Sequence, residues 1–183
     1  MIIYLVASII LSLGCGCFNT DPASEKTESA TIDTIPNTNS FFNNVYFSKS
    51  DAEKILGENA YLSDSSSTIK KDTLEIKRAY TANSPDQKTG KTGVIYFMIE
   101  EYDQDSSAKN AYNLIKVANE SHEGVKTVHD MGDEAYFHSD GKNFYFILAR
   151  KGKIMFRMKV NKITSHTSLN EFNLVSKKIS DAL

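Results

Sequence analysis

The chain has 183 residues, a formal net charge of −2 and a sequence pI near 6.1. It therefore lacks the broad basic surface that nucleic-acid-binding proteins use, and we expect no nucleic-acid partner. Its two cysteines, Cys15 and Cys17, both lie near the N-terminus, and residues 18–183 contain none. This distribution excludes a disulfide, thiol catalysis and a thiolate metal site from that longer segment.

The first feature along the chain is an uncharged, apolar run over residues 2–13, which is followed by Gly14 and Cys15. A helix that spans a bilayer needs about 20 apolar residues, so this shorter run predicts a signal peptide. A small residue before a cysteine at the end of such a run is typical of a bacterial lipoprotein signal. We predict that residues 1–14 are a lipoprotein signal peptide and that Cys15 carries acyl chains such as palmitate, with Cys17 as the alternative lipid attachment site. An ordinary secretory signal and a membrane-inserted helix are the other interpretations.

We expect residues 15–40 to comprise the lipidated cysteine and a disordered polar tether. Residues 18–40 are rich in Thr, Ser, Asn, Asp and Pro, and such a segment buries too little apolar surface to offset the entropy of ordering it. Two or more acyl chains on one cysteine give stable anchoring to a bilayer. We therefore expect the protein in the bacterial cell envelope, attached to a membrane by its lipid anchor on the exported side.

Hydrophobic periodicity predicts a single domain over residues 41–183, with period two indicating strands and period 3.6 indicating helices. The predicted elements are a strand at 41–47, a short helix capped by Ser50 and Glu53 and ended by Gly57, strands at 73–82 and 94–102, a helix at 106–120, strands at 125–128, 134–138, 143–150 and 153–160, and a helix that starts at Ser168 and is capped with Glu171. This order predicts an α+β fold, in which an antiparallel sheet of about six strands has helices packed on one face.

Four short phrases run through these elements: SKSDAEKILGE at 48–58, SAKNAY at 107–112, MGDEAYF at 131–137 and FYFILARKGKIMFRMKV at 144–160. In these phrases and in the order of its elements, the chain resembles small bacterial envelope lipoproteins with a PsbP-like domain of the LpqN type. The resemblance covers most of residues 45–183. It implies a PsbP-like fold and a non-enzymatic binding or assembly module, and it supplies no functional residues.

Patterns typical of catalytic or metal sites are weak in this sequence. Gly90-Lys91-Thr92 resembles the end of a phosphate-binding loop, but Pro85 stands where a second glycine is needed, so we interpret the segment as a hairpin loop. We predict no catalytic, cofactor-binding or metal-binding residues and no enzymatic activity. The alternative is an envelope enzyme, or an inhibitor of one, whose site is assembled from scattered residues such as His129, Asp133 and Glu134.

The aromatic residues, ten Phe and nine Tyr, give the best indication of a binding surface. Phe144, Tyr145 and Phe146 alternate between the two sides of their strand, so some rings are expected on the sheet face opposite the helices. An uncovered aromatic face is a place where an apolar small ligand or an envelope protein could dock. Together these observations predict a membrane-anchored binding or assembly module whose specific partner is unknown.

Overall fold

The computed structural model describes residues 46–71 and 73–183. The predicted signal peptide, both cysteines, the tether and most of the predicted strand at 41–47 lie outside these residues. The last two residues of that strand, Tyr46 and Phe47, are described. Both are buried against the sheet without forming a strand.

The described residues form three helices and seven strands. In chain order they are α1 (Lys49–Leu56), β1 (Ala60–Lys70), β2 (Thr73–Ala82), β3 (Val94–Tyr102), α2 (Asp105–Asn119), β4 (Val125–Val128), β5 (Glu134–Ser139), β6 (Phe144–Lys151), β7 (Ile154–Asn161) and α3 (Leu169–Ala182). Within these residues, none of the helices has the length and apolar character needed to cross a membrane.

The strands form one antiparallel sheet in the order β1-β2-β3-β7-β6-β5-β4. The predicted α+β class is confirmed, with seven strands where the sequence predicted about six. The strand that was not predicted is β1, whose serine-rich residues are exposed everywhere except at Ala60. A strand that is exposed on both sides has no alternation of apolar and polar residues, so hydrophobic periodicity does not reveal it.

Helices cover both faces of the sheet, although the sequence predicted them on one. The face covered by α1 and α3, called the first face, carries the larger core, which includes Ile147, Phe156 and Phe172. The opposite face, called the second face, carries a smaller core formed by Tyr112, Tyr136, Leu148 and Met155. Tyr112 belongs to α2, and its ring meets that of Tyr136 edge-on at 6.2 Å. The buried side of α2 therefore packs on the second face.

Helix α1 is capped two residues earlier than the sequence predicted. Ser48 and Asp51 form the capping box, in which each side chain accepts the other residue's backbone N–H. Glu53, the predicted partner of Ser50, instead accepts a hydrogen bond from the backbone N–H of Ala60. Asp51 also binds the Lys178 ammonium of α3, with both carboxylate oxygens 2.8 Å from its nitrogen. Burial favours a higher pKa for the Asp51 carboxyl, but the hydrogen bonds from Lys178 and Ser48 outweigh it and lower the pKa.

The other predicted helix ends agree with the structure. Gly57 ends α1 with a left-handed φ of 72°, as a glycine at this position commonly does. Ser168 caps α3 and accepts a hydrogen bond from the backbone N–H of Glu171. These local signals set where α1 ends and where α3 begins.

Candidate functional site

Two of the three residues proposed for an assembled enzyme site are held by a buried arginine. The guanidinium of Arg150 lies 2.6 Å from the Glu134 carboxylate and 3.3 Å from that of Asp133. It also binds Asp105 at the start of α2 and donates to the carbonyl oxygen of Gly152. These contacts form an ion-pair network that joins the N-terminus of α2 to β5 and β6, which is a structural role.

His129, the third residue of that hypothesis, is exposed in the segment between β4 and β5. No group of three or more His, Cys, Asp or Glu side chains in the described part of the chain is arranged to hold a metal ion. The structure therefore brings Asp133 and Glu134 together through Arg150, and it does not assemble them with His129 into a metal site.

A second polar cluster contains aspartate, serine and histidine, the residue types of a catalytic triad. Asp86 lies in the β2–β3 loop and accepts hydrogen bonds from the Ser165 hydroxyl at 2.9 Å and the Thr89 hydroxyl at 2.6 Å. The His166 Nε2 atom lies 3.7 Å from the same carboxylate. In a triad the histidine stands between the serine and the acid, whereas here the serine donates directly to the acid. The cluster fastens the β2–β3 loop to the segment before α3.

The loop that contains Gly90-Lys91-Thr92 connects β2 to β3, as predicted for a hairpin loop. Its backbone is closed by hydrogen bonds from Asp86 N–H to the Lys91 carbonyl and from Gly90 N–H to the Asp86 carbonyl. The backbone N–H of Gly90 is thus used inside the loop. The loop leads into a strand, so it lacks the helix N-terminus that a phosphate-binding loop requires.

The aromatic surface predicted from the sequence is present on the second face, but α2 covers part of it. Phe146 packs against Tyr136, with ring centroids 5.8 Å apart, at the edge of the core beneath α2. Phe144 lies further along β6, where the Lys159 ammonium stands 5.5 Å from its ring centroid. The part that α2 leaves open, including Tyr96, Met98 and Phe146, forms a pocket of about 270 Å³.

At least two of the four cations around this pocket have carboxylate partners. Arg157 pairs with the buried Glu100, and Lys77 lies 2.7 Å from Glu75. The pocket is therefore a small, partly aromatic surface lined by several cations. It falls below the usual size of a small-molecule site, which is about 300–1,000 Å³.

A larger cavity of about 460 Å³ lies on the first face, between α3 and the β4–β5 hairpin; we call it the α3 groove. Its apolar lining combines buried residues of the core with exposed leucines of α3: Val128, Met131, Phe137, Ile147, Leu169 and Leu174. Leu174 is 54% exposed and Leu169 is 40% exposed, whereas Met131 and Ile147 are buried. The groove thus extends from the surface to the core.

The polar rim of the α3 groove combines amides and ammonium groups with the Thr127 hydroxyl and the Asp130 carboxylate. Asn170, Asn173 and Lys177 line it from α3, and Lys126 lines it from β4. The Lys177 ammonium donates a hydrogen bond to the backbone carbonyl of Asp130, so it bridges α3 to the segment that follows β4. An apolar cavity with a few polar groups at its rim suits a ligand that has an apolar body and a polar end.

Sequence reasoning missed the groove because its α3 wall follows the helical spacing of a solvent-exposed face. Asn170, Leu174 and Lys177 recur at intervals of four and three, and two of the three are polar. Leu169, which the helical spacing places with the core residues of α3, also lines the groove. The cavity depends on the distance between α3 and β4, and no local pattern encodes that distance.

Comparisons of the chain with protein-family models, curated proteins and solved structures find no match. The likeness to PsbP-like lipoproteins therefore stays a prediction from short sequence phrases.

Proposed function

We propose that this chain is a bacterial envelope lipoprotein, anchored to a membrane through acyl chains on Cys15 or, alternatively, Cys17. Its domain would act as a non-enzymatic module that binds an apolar small ligand in the α3 groove. The single observation that carries the binding role is the open cavity of about 460 Å³ with an apolar floor that extends into the core. The cavity has the size and lining typical of small-molecule sites.

The ligand class follows from the lining. An apolar body would bury exposed surface of Leu169 and Leu174, and the removal of apolar surface from water contributes about 25 cal/mol per Å². The polar end of the ligand would lie at the rim, where Lys126, Asn170 and Asn173 can donate hydrogen bonds. An amphiphile whose polar end accepts hydrogen bonds fits this arrangement. The use of Asp133 and Glu134 to bind Arg150 also favours a non-enzymatic role.

The anchor and the ligand are tested together by expressing the full-length protein in a bacterium and extracting the membrane fraction in a mild detergent. Intact-protein mass spectrometry under non-denaturing conditions then reports both acylation and any retained molecule. We expect an acylated chain that starts at Cys15 and an additional mass from an amphiphile. Acylation should be lost in Cys15→Ala and kept in Cys17→Ala. An unmodified native chain would contradict the anchor.

The groove is tested by Leu174→Glu, which places a carboxylate on its wall. We expect at least a tenfold lower fraction of ligand-bound protein in this variant, because an apolar ligand would have to bury an unpaired charge. Leu114→Glu on α2 is the matched control, since Leu114 is 74% exposed and does not line the groove. Met98→Glu tests the remaining aromatic pocket. Loss of ligand from Met98→Glu alone would move the site to the second face.

A further inference from the structure

In the part of the chain that the structure describes, β1 forms one edge of the sheet, and such an edge is suited to pairing with another strand. The sheet ends in β4, which has 4 residues, and in β1, which has 11. Among the described strands, β1 pairs with β2 alone. A strand at an edge presents unpaired N–H and C=O groups that can template the addition of a further strand. Three of the eight exposed large apolar side chains in the described residues also lie on β1: Tyr61, Leu62 and Ile69.

A bulge in β1 places two of these apolar side chains on the same face of the sheet. Leu62 and Ile69 are seven residues apart, so a regular strand would direct them to opposite faces. The register shift between Leu62 and Asp64 changes this parity. Leu62 is paired with Tyr80 and Ile69 with Leu74, and both of those partners belong to the core of the first face. The two side chains, 50% and 64% exposed, therefore stand near opposite ends of the edge on one face.

We propose that β1 pairs antiparallel with β1 of a second copy of this chain, around a two-fold axis that passes through Ser66. In this register Ser66 faces its own equivalent, and Asp64 faces Thr68 of the partner subunit. The bulge accommodates the additional residue, so Leu62 then faces Ile69 of the partner subunit. Residues that face each other in an antiparallel pair point to the same side of the sheet, and every pair in this register meets that condition.

Neighbouring registers lose the apolar match. An axis through Ser65 places Leu62 opposite Ser67 of the partner subunit, and an axis through Ser67 places it opposite Lys71 of the partner subunit. The axis through Ser66 forms the Leu62–Ile69 contact twice, once on each side of the axis, as an isologous two-fold interface requires. The edge is thus complementary to itself in one register, and a second copy of the chain is the occupant that this complementarity selects.

The resulting interface is narrow, because one strand from each subunit forms it. We expect it to bury less than the 1,200–2,000 Å² that is typical of stable interfaces. We therefore expect a reversible, concentration-dependent dimer with a continuous 14-stranded sheet, twice the 7 strands of one copy.

The test is disulfide formation between introduced thiols in the full-length protein. Facing residues in an antiparallel pair have Cα atoms about 4.5–5.5 Å apart, which is within the range that a disulfide spans. Ser66→Cys should therefore crosslink to its equivalent under mild oxidation. Thr68→Cys is the matched control, because it would lie four residues, about 13 Å, from its own equivalent. Both positions are exposed, so neither substitution should disturb folding.

Peptide mapping by mass spectrometry identifies the crosslink and separates it from any that involves Cys15 or Cys17. We expect Ser66→Cys to crosslink at least tenfold more than Thr68→Cys. Addition of Leu62→Lys should reduce the Ser66→Cys crosslink severalfold, whereas addition of Leu114→Lys should leave it unchanged. Equal crosslinking at positions 66 and 68 would overturn the proposal, as would a native chain that sediments as a monomer at every concentration.

Discussion

Asp86 shows how one buried carboxylate connects two distant segments of the chain. Its hydrogen bonds come from Thr89 and Lys88 in its own loop and from Ser165 before α3. The hydrogen bond from the Thr89 hydroxyl is the main reason that the pKa of this carboxyl lies well below its usual value, and the backbone N–H of Ser165 lowers the pKa further. The charged form of Asp86 therefore stabilises the folded protein.

The sign of the pH dependence follows from this lowered pKa. The contribution of Asp86 to the free energy of unfolding is present above the unfolded carboxyl pKa of about 3.9, and it is lost as the pH falls toward the folded pKa. We predict that Asp86→Asn lowers the free energy of unfolding at pH 7 and that its difference from the native chain shrinks below about pH 4. Urea unfolding followed by circular dichroism measures both, with Asp181→Asn on α3 as the exposed control. A difference that does not change with pH would contradict this explanation.

The residue pattern predicted that Ser50 and Glu53 cap α1, and this prediction is wrong, because Ser48 and Asp51 form the cap. Ser48 with Asp51 and Ser50 with Glu53 both have the spacing of a capping box. The structure uses the first pair, and Asp51 also reaches Lys178, which lies 127 positions further along the chain. A local sequence pattern cannot predict a contact between residues that are so far apart in the chain.

At the scale of elements, Gly57 at the end of α1 packs closely against the backbone of the segment that precedes α3. A Cβ atom added to Gly57 would lie 2.2 Å from the backbone carbonyl oxygen of His166. Gly90 also has a left-handed φ, of 67°, but an added Cβ there would meet no atom within 4 Å. An alanine at Gly90 would therefore lose free energy of unfolding only through its left-handed backbone, whereas an alanine at Gly57 would lose it through the backbone and also through a steric clash.

We predict that Gly90→Ala lowers the free energy of unfolding by about 1 kcal/mol, the usual cost of a left-handed conformation in an alanine. Gly57→Ala should lower the free energy of unfolding by at least twice as much, because the new Cβ atom would clash with the backbone carbonyl oxygen of His166 and the backbone would have to shift. Paired urea titrations of the two variants measure this difference. Equal losses would show that the contact between Gly57 and His166 relaxes without cost.

Element types were largely predictable from periodicity, but their arrangement was only partly so. Alternation predicted β2, and the helical stripe that includes Ala108 and Tyr112 predicted α2, close to their observed limits. The same stripe does not specify which face of the sheet it covers. The sequence did not predict β1, because this strand is exposed on both sides. Helix α2 packs on the second face, where Tyr136 and Leu148 supply an apolar surface.

At the scale of the whole molecule, the candidate site results from how far each helix extends over the sheet. The alternation of Phe144, Tyr145 and Phe146 predicted an uncovered aromatic face, and α2 reduces that face to a pocket of about 270 Å³. On the first face, α1 and α3 leave the β4–β5 end open, which creates the larger groove. Composition predicts the presence of such surfaces, whereas their size depends on helix positions that the local sequence does not specify.

The two cores lie on opposite sides of the same strands, so the molecule should unfold as one cooperative unit. In β6, Ile147 packs in the core of the first face and Leu148 in that of the second, and both are buried. If either core were lost, the strands that also form the base of the other core would be exposed to solvent on one face. We predict that Ile147→Ala and Leu148→Ala each lower the free energy of unfolding by about 2–5 kcal/mol. Each variant should retain a single transition.

This cooperativity is measured by urea unfolding with two probes, far-ultraviolet circular dichroism and tyrosine fluorescence. The two curves should coincide in the native chain and in both variants, as a two-state transition requires. Leu114→Ala on α2 is the control, and because Leu114 is 74% exposed it should change the free energy by less than about 0.5 kcal/mol. If Leu148→Ala instead unfolded in two steps, α2 and the smaller core would form an independent unit, since β6 would have kept its pairing without them.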